Sequence, residues 1–246
     1  MPKNNSFQSF LAIFLVIATG IYAAESPVSS SVARYESRAA HDPNGIGKFY
    51  MGREIAHVMG HQAAEWLERP EREEEENTQK MIELLAIKPG EVIADIGAGT
   101  GYLTRRLAVK TGPKGLVYGE DIQPEMLDLL TNKMAELKIA NVKPVLGTTT
   151  DPKLPEKSVD TVLLVDVYHE FDFPYEMMQN IYKSLKPGGR VVFVEFRGED
   201  PKVPIKLVHK MTEAQVKKEM SAQPLDWEKT IRELPWQNVI IFKKKP

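Results

Sequence analysis

The stretch Val92-Ile93-Ala94-Asp95-Ile96-Gly97-Ala98-Gly99-Thr100-Gly101 constrains this chain more than any other. Its first five residues are β-branched or small and mostly apolar, which suits a strand buried on both faces. The three alternate glycines let the backbone turn sharply and approach a ligand closely. Behind them Leu103 and Leu107 recur at helical spacing. Strand, glycine turn and helix in that order open a Rossmann-type βαβ unit.

The spacing of the glycines bears on the ligand. A dinucleotide fingerprint, Gly-x-Gly-x-x-Gly, would place its third glycine at position 102, which is Tyr102. A pyrophosphate wants helix N-terminal N–H groups and no carboxylate nearby, yet Asp95 stands just ahead of the turn. A zwitterion carrying an ammonium and a sulfonium is favoured by that acid. Asp-x-Gly-x-Gly-x-Gly here resembles motif I of the class I S-adenosylmethionine-dependent methyltransferases. The resemblance implies S-adenosyl-L-methionine as cofactor, held by Asp95, Gly97, Ala98, Gly99, Thr100 and Gly101. It also implies an α/β fold: a Rossmann-like doubly wound sheet of about seven strands, the last antiparallel, with helices on both faces. The other reading of such a turn is that it only lets helix and strand pack closely.

At 246 residues, 42 % of them hydrophobic, the chain suits one α/β domain and a smaller appendage. A formal net charge of −2, with no Lys/Arg stripe before Lys243-Lys244-Lys245, lacks the footprint of a nucleic-acid binder. Without cysteine there is no disulfide, zinc thiolate or cysteine nucleophile. Residues 1–23 combine Lys3, an apolar run from Phe10 to Ala18 and the small Ala23. They read as a secretory signal peptide, the run being short for a spanning helix. The expected product is exported, periplasmic or secreted, with no stable membrane insertion after cleavage; an uncleaved leader would make it membrane-anchored.

Residues 24–70 are expected to form a linker, Ser26 to Ser37, and an N-terminal helical arm. His41-Asp42-Pro43-Asn44-Gly45 is turn chemistry. From Tyr50 to Leu67 the residues Ile55, Val58, Met59, Ala63, Trp66 and Leu67 suggest a helix. His57 and His61 would share its face at a metal-binding spacing. No Glu follows His57 and no third ligand is evident, so no metal is expected. Residues 71–246 make up the methyltransferase-like domain. Glu73 to Glu76 reads as a solvated, acidic helix start, favourable to the macrodipole, continuing through Met81, Ile82, Leu84 and Leu85 to Pro89-Gly90.

Leu116 to Glu120 reads as the second strand, with Asp121 at its carboxyl end. Pro124 fits the first helical position with Gln123 as cap, which leaves the Asp121 carboxylate free. An acid about 20 residues past the turn is placed to accept from ribose hydroxyls. Val142 to Leu146 is a third strand whose Pro144 suggests an edge. In many relatives an acid after the following glycine meets the adenine amino group; here that position is Thr148. Either hydroxyls serve or Asp151 reaches back. The cofactor-binding set thus extends to Asp121, Ile122, Thr148, Asp151 and Asp166.

Val159 to Val165 reads as the central fourth strand, followed by Asp166-Val167-Tyr168-His169-Glu170-Phe171. Ligands sit beyond the carboxyl ends of such strands, so His169 and Glu170 should project near the reacting methyl. This stretch resembles the strand-four motif of small-molecule methyltransferases, without the Asn-Pro-Pro-Tyr signature. A histidine tied to a neighbouring acid to shape the loop is the plainer reading. Lys186-Pro187-Gly188-Gly189 should turn into a fifth strand, Arg190 to Phe196, with Glu195 and Arg197 near its end. The loop Glu199 to His209 leads to a helix capped by Thr212, and strands are expected at 228–234 and 238–243.

The resemblance implies direct displacement of the donor's methyl by a small-molecule acceptor. Positioning two reactants contributes about 7–11 kcal/mol and a general base about 3–5 kcal/mol, so transfer does not require a base. For a neutral hydroxyl acceptor, His169 is the expected base with Glu170 orienting it. The rival readings are an exported nucleoside-binding module without transfer activity and an NAD-dependent oxidoreductase.

Overall fold

The computed structural model describes Met1 and residues 34–245; the stretch expected to be a leader and most of the expected linker lie outside the described residues. The arm begins with three strands, β1 (Tyr35–Ser37), β2 (Gly45–Tyr50) and β3 (Arg53–Ala56), paired antiparallel in that order. The helix expected from Tyr50 is therefore corrected over its first half. Tyr50 pairs with Arg53 across Met51-Gly52, both at positive φ, +47° and +91°. Two such residues form the hairpin turn whose twist matches the flanking strands. Buried Ile55 and Ala56 belong to a strand, while Val58 and Trp66 remain exposed. The only helical turns here are a 3-10 turn, His61–Ala63, and α1 (Ala64–Leu67).

The acidic run divides into α2 (Arg72–Glu76) and α3 (Thr78–Leu84). Asn77, at φ +50°, ends one helix and caps the next, accepting from Lys80 N at 3.1 Å. Nor is the run fully solvated. Glu76 is buried and held by Arg69 (2.7 Å) and Arg72 (2.8 Å).

The main sheet alternates strands and helices: β4 (Val92–Ile96), α4 (Thr104–Thr111), β5 (Leu116–Asp121), α5 (Pro124–Glu136), β6 (Val142–Leu146), β7 (Val159–Val165), α6 (Pro174–Ser184), β8 (Leu185–Phe196), α7 (Glu213–Met220), β9 (Leu225–Ile231) and β10 (Gln237–Lys244). Its order is β6-β5-β4-β7-β8-β10-β9. β4 to β8 run parallel, and β10 pairs antiparallel with both β8 and β9. Pro144 lies on the edge strand, where its missing N–H costs no ladder bond. Lys186 to Gly189 form a bulge inside β8 rather than a separate turn: Val159 pairs with Leu185 but Thr161 with Arg190. β9 starts at Leu225, three residues before its expected position.

Alternation along β7 and β8 builds two cores. Val162, Leu164, Val191 and Phe193 pack with Met178 and Ile181 of α6 and Val216 of α7. Leu163, Val192 and Val194 pack on the other face with Met81 of α3 and Leu107 of α4. Both faces of β7 and β8 are thus buried. The carboxyl ends of β4, β5 and β7 open together on one rim.

Candidate active site

At the end of β4, Gly97 and Gly99 adopt φ +67° and +54°. A Cβ at Gly97 would lie 2.5 Å from Val167, and one at Gly99 2.5 Å from Leu67. The turn therefore stays glycine because neighbouring segments press on it, beyond any need for ligand approach. Asp95 is buried and its Oδ2 accepts from the Thr104 hydroxyl at 2.6 Å. Burial pushes its carboxyl up to about 6. Ala98 packs with Leu130 and Met134 of α5, the two side chains that also crowd Gly101. Thr100 donates to Glu68 at 2.7 Å.

At the end of β5, Asp121 is not free. Its Oδ2 accepts from Gly99 N at 3.0 Å and its Oδ1 from Gln123 N at 2.9 Å. The carboxylate clips the glycine turn to its own loop, because both loops present N–H groups that no helix satisfies. Glu120 is buried beside it, with its Oε2 3.5 Å from Gly97 N. A Cβ at Gly147 would fall 1.7 Å from its Oε1, so only glycine fits at the start of the next loop. That Oε1 has no hydrogen-bond partner in the protein. Burial, then the Asp121 charge, holds Glu120 well above the usual carboxylate range. Thr148 is spent on its own turn, accepting from Asp151 N at 3.0 Å, and the Asp151 carboxylate pairs with Lys153 at 2.8 Å. Neither Thr148 nor Asp151 lines the cavity; of the hydroxyls in this loop, Thr149 is the one that does.

At the end of β7, Asp166 is held at φ +49°, a costly conformation for a residue with a side chain. Its Oδ2 accepts from Gln237 Nε2 at 3.2 Å, while Oδ1 has no protein partner. A 3-10 turn, Tyr168–Glu170, follows. Glu195 at the end of β8 grips this turn twice: Oε1 accepts from Tyr168 N at 3.0 Å and Oε2 lies 2.6 Å from His169 Nδ1. His169 is thus oriented by Glu195, not by Glu170, whose carboxylate is 3.9 Å from His169 Nε2. The correction has a simple cause. Adjacent residues on a tight turn diverge, whereas β8 runs alongside β7. Glu170 Oε2 instead accepts from Met59 N at 3.2 Å. Burial drives His169 down to about 4 and raises Glu170 to about 7 and Glu195 to about 8. Burial thus favours the uncharged imidazole. His209 Nδ1 lies 3.2 Å from His169 Nε2.

The segment before α2 covers the rim. Gln123 Nε2 donates to Met59 O at 3.0 Å, and His61 N donates to Gln123 Oε1 at 2.8 Å. Glu68 bridges Thr100 and Arg105. Val58, Met59, Trp66 and Leu67, which suggested a helix core, instead roof a cavity of about 490 Å³, within the range of small-molecule sites. Gly97, Gly99, Asp121, Ile122, Asp166, His169 and Glu170 line it; Asp95, Ala98, Thr100, Gly101, Thr148 and Asp151 do not. Among the polar lining residues, Glu120, Arg72, Thr149 and His209 escaped the sequence reading or entered it only as strand, loop or helix residues. Arg72 donates to Glu76 and to Leu67 O, and its guanidinium sits 4.4 Å from the Tyr102 ring. An arginine beside four glutamates carries no local signal of a cavity.

Comparison with known proteins gives a consistent picture. A family described as a methyltransferase domain matches residues 87–243. The ubiquinone/menaquinone biosynthesis C-methyltransferase of Ectopseudomonas mendocina is 32 % identical over 116 residues, 47 % of this chain and 45 % of that protein. The demethylmenaquinone methyltransferase of a Geobacillus species is 31 % identical over 120 residues, 49 % of this chain and 50 % of that one. The chain thus spans about half the length of the curated relatives it matches. A SAM-dependent methyltransferase from Aquifex aeolicus shares the fold, with a TM-score of 0.72 at 20 % identity, over 76 % of this chain and 99 % of that one.

Proposed function

The chain belongs to the methyltransferase-domain family, and from that premise we propose that it moves a methyl group from S-adenosylmethionine to a small-molecule acceptor by direct displacement. The observation that carries this reading is a single roofed cavity that joins the glycine turn to His169 and is walled by Glu120, Asp121 and Asp166. These acidic side chains line the place to which a ligand offering ribose hydroxyls and an ammonium would bring its donors. Arg72 is the cation placed to meet a carboxylate. The bound donor supplies a methyl carbon already activated by a sulfonium. The carboxylates at the rim favour that positive charge, and they disfavour a dinucleotide's pyrophosphate.

The protein's own work is then positioning and exclusion of water. Asp121 holds the glycine turn in shape, and the roof from Val58 to Leu67 seals it. The acceptor end carries His169, Glu170 and His209 among the apolar walls of Phe171, Met177 and Ile205. That combination suits a small aromatic or enolic molecule with an ionisable hydroxyl, a class in keeping with the quinone-pathway names of the relatives. An imidazole nitrogen beside a carboxylate either takes a proton or binds a cation; both make such a hydroxyl more nucleophilic. The test is calorimetric titration with S-adenosylhomocysteine, followed by transfer of labelled methyl to a phenol and enol panel. Micromolar binding with label in product is expected. Absence of binding at millimolar concentration would overturn the reading.

A further inference from the structure

We infer that His169 Nε2, Glu170 Oε1 and His209 Nδ1 form a three-ligand site for one divalent transition-metal ion, with zinc as the probe. The three atoms stand 3.2 Å (His169–His209), 3.8 Å (His209–Glu170) and 3.9 Å (His169–Glu170) apart. A point equidistant from all three lies about 2.1 Å from each, the length of a Zn–N or Zn–O bond. No other cluster of this kind occurs among the described residues.

The surroundings fit the same function. The far nitrogen of His169 lies 2.6 Å from Glu195, the carboxylate–histidine arrangement that fixes tautomer and ring direction at metal centres. A histidine–histidine hydrogen bond would account for the 3.2 Å contact alone. It would not account for Glu170, which gives only Oε2 to Met59 N–H and turns Oε1 toward both rings. The rings meet edge to face, 5.2 Å between centroids at 87°, which brings nitrogen to nitrogen without stacking. The histidines come from different segments, the turn after β7 and a 3-10 turn at Leu207–His209. The ion would therefore also pin the loop over the cavity.

All three residues line the cavity, so the remaining coordination positions face the acceptor. Three protein ligands and open positions are the pattern of a catalytic rather than a structural ion. An acceptor hydroxyl bound there loses its proton to water, keeps the electron pair on oxygen, and meets the methyl donor as an oxyanion. The ligand set, two imidazoles and a carboxylate, suits zinc and its divalent first-row neighbours.

The experiment is calorimetric titration of full-length, chelator-stripped protein with Zn²⁺, repeated with Co²⁺ read by visible absorption. One ion per chain is expected, with His209→Ala and Glu170→Gln weakening Zn²⁺ by at least about 100-fold and Glu195→Gln by about 10–100-fold. The His57→Ala/His61→Ala double variant should bind as wild type, and thermal melts confirm that each variant is folded. Should His209→Ala destabilise the fold, His209→Gln gives the same readout. No saturable binding, or wild-type affinity in both Glu170→Gln and the His209 variant, would overturn the site. The ion site itself stands apart from the methyl-transfer reading, whereas its role toward the acceptor hydroxyl rests on it. S-adenosylhomocysteine binding is measured separately, so each can fail without the other.

Discussion

Asp95 shows how much a single residue gives up for the site. Its carboxyl is buried and raised to about 6, chiefly by burial, with the Asp121 charge adding to it and the Thr104 hydroxyl and Arg72 opposing. A group whose folded pKa is raised binds its proton more tightly in the folded state, so stability is full below about pH 4 and is lost as pH rises through 6. A rise from the ordinary value to about 6 corresponds to about 3 kcal/mol. Asp95→Asn, which keeps an oxygen for Thr104, should therefore unfold at higher urea concentration than wild type at pH 7. At pH 4 the two should match. Equal gain at both pH values would mean packing, not charge, is the cause. The sequence showed this acid, the glycines and His169 because each sits inside one short motif. Glu195 was visible as a strand-end acid, but its hold on His169 spans 26 residues and leaves no local pattern. His209 lay in a loop whose path only the fold determines.

Among the elements, the sheet was legible and the arm was not, for one physical reason. Strands such as Val159 to Val165 are apolar on both faces and declare themselves by composition. The stretch 50–67 has apolar residues at helical spacing, but four of the six that suggested a helix face the cavity. Periodicity reports burial without saying against what. The hairpin β2–β3 is instead held by a charge: Arg53 makes a bidentate pair with Glu219 of α7 at 2.7 and 3.1 Å, and donates to His169 O at 3.0 Å. Tyr168 adds its hydroxyl to Glu219 at 2.8 Å. Removing one partner of a buried pair leaves the other charge stranded, at about 3–5 kcal/mol. Glu219→Gln should lose that amount in urea unfolding, and Arg53→Met with Glu219→Leu together should lose less than Glu219→Gln alone. A Glu219→Gln loss below 1 kcal/mol would show that water reaches the pair.

For the whole molecule, the rim concentrates acidic groups whose charged form burial disfavours. Asp95, Glu120, Asp121 and Asp166 gather at the ends of three strands, and two of them have oxygens without partners. Such a cluster costs stability until a ligand supplies donors and positive charge. A ligand that binds only the folded state, present at 100 times its Kd, adds about 2.7 kcal/mol. For a chain of this size each kcal/mol moves the melting temperature by about 2–4 °C. Saturating S-adenosylmethionine or S-adenosylhomocysteine should accordingly raise Tm by about 5–11 °C. The sulfonium compound should bind more tightly than the neutral thioether, and the difference should shrink only weakly with salt, because buried charges are poorly screened. NAD at the same concentration should leave Tm unchanged, since its pyrophosphate would meet carboxylates at the glycine turn. A shift with NAD equal to that with S-adenosylhomocysteine would mean that the cavity recognises the nucleoside alone.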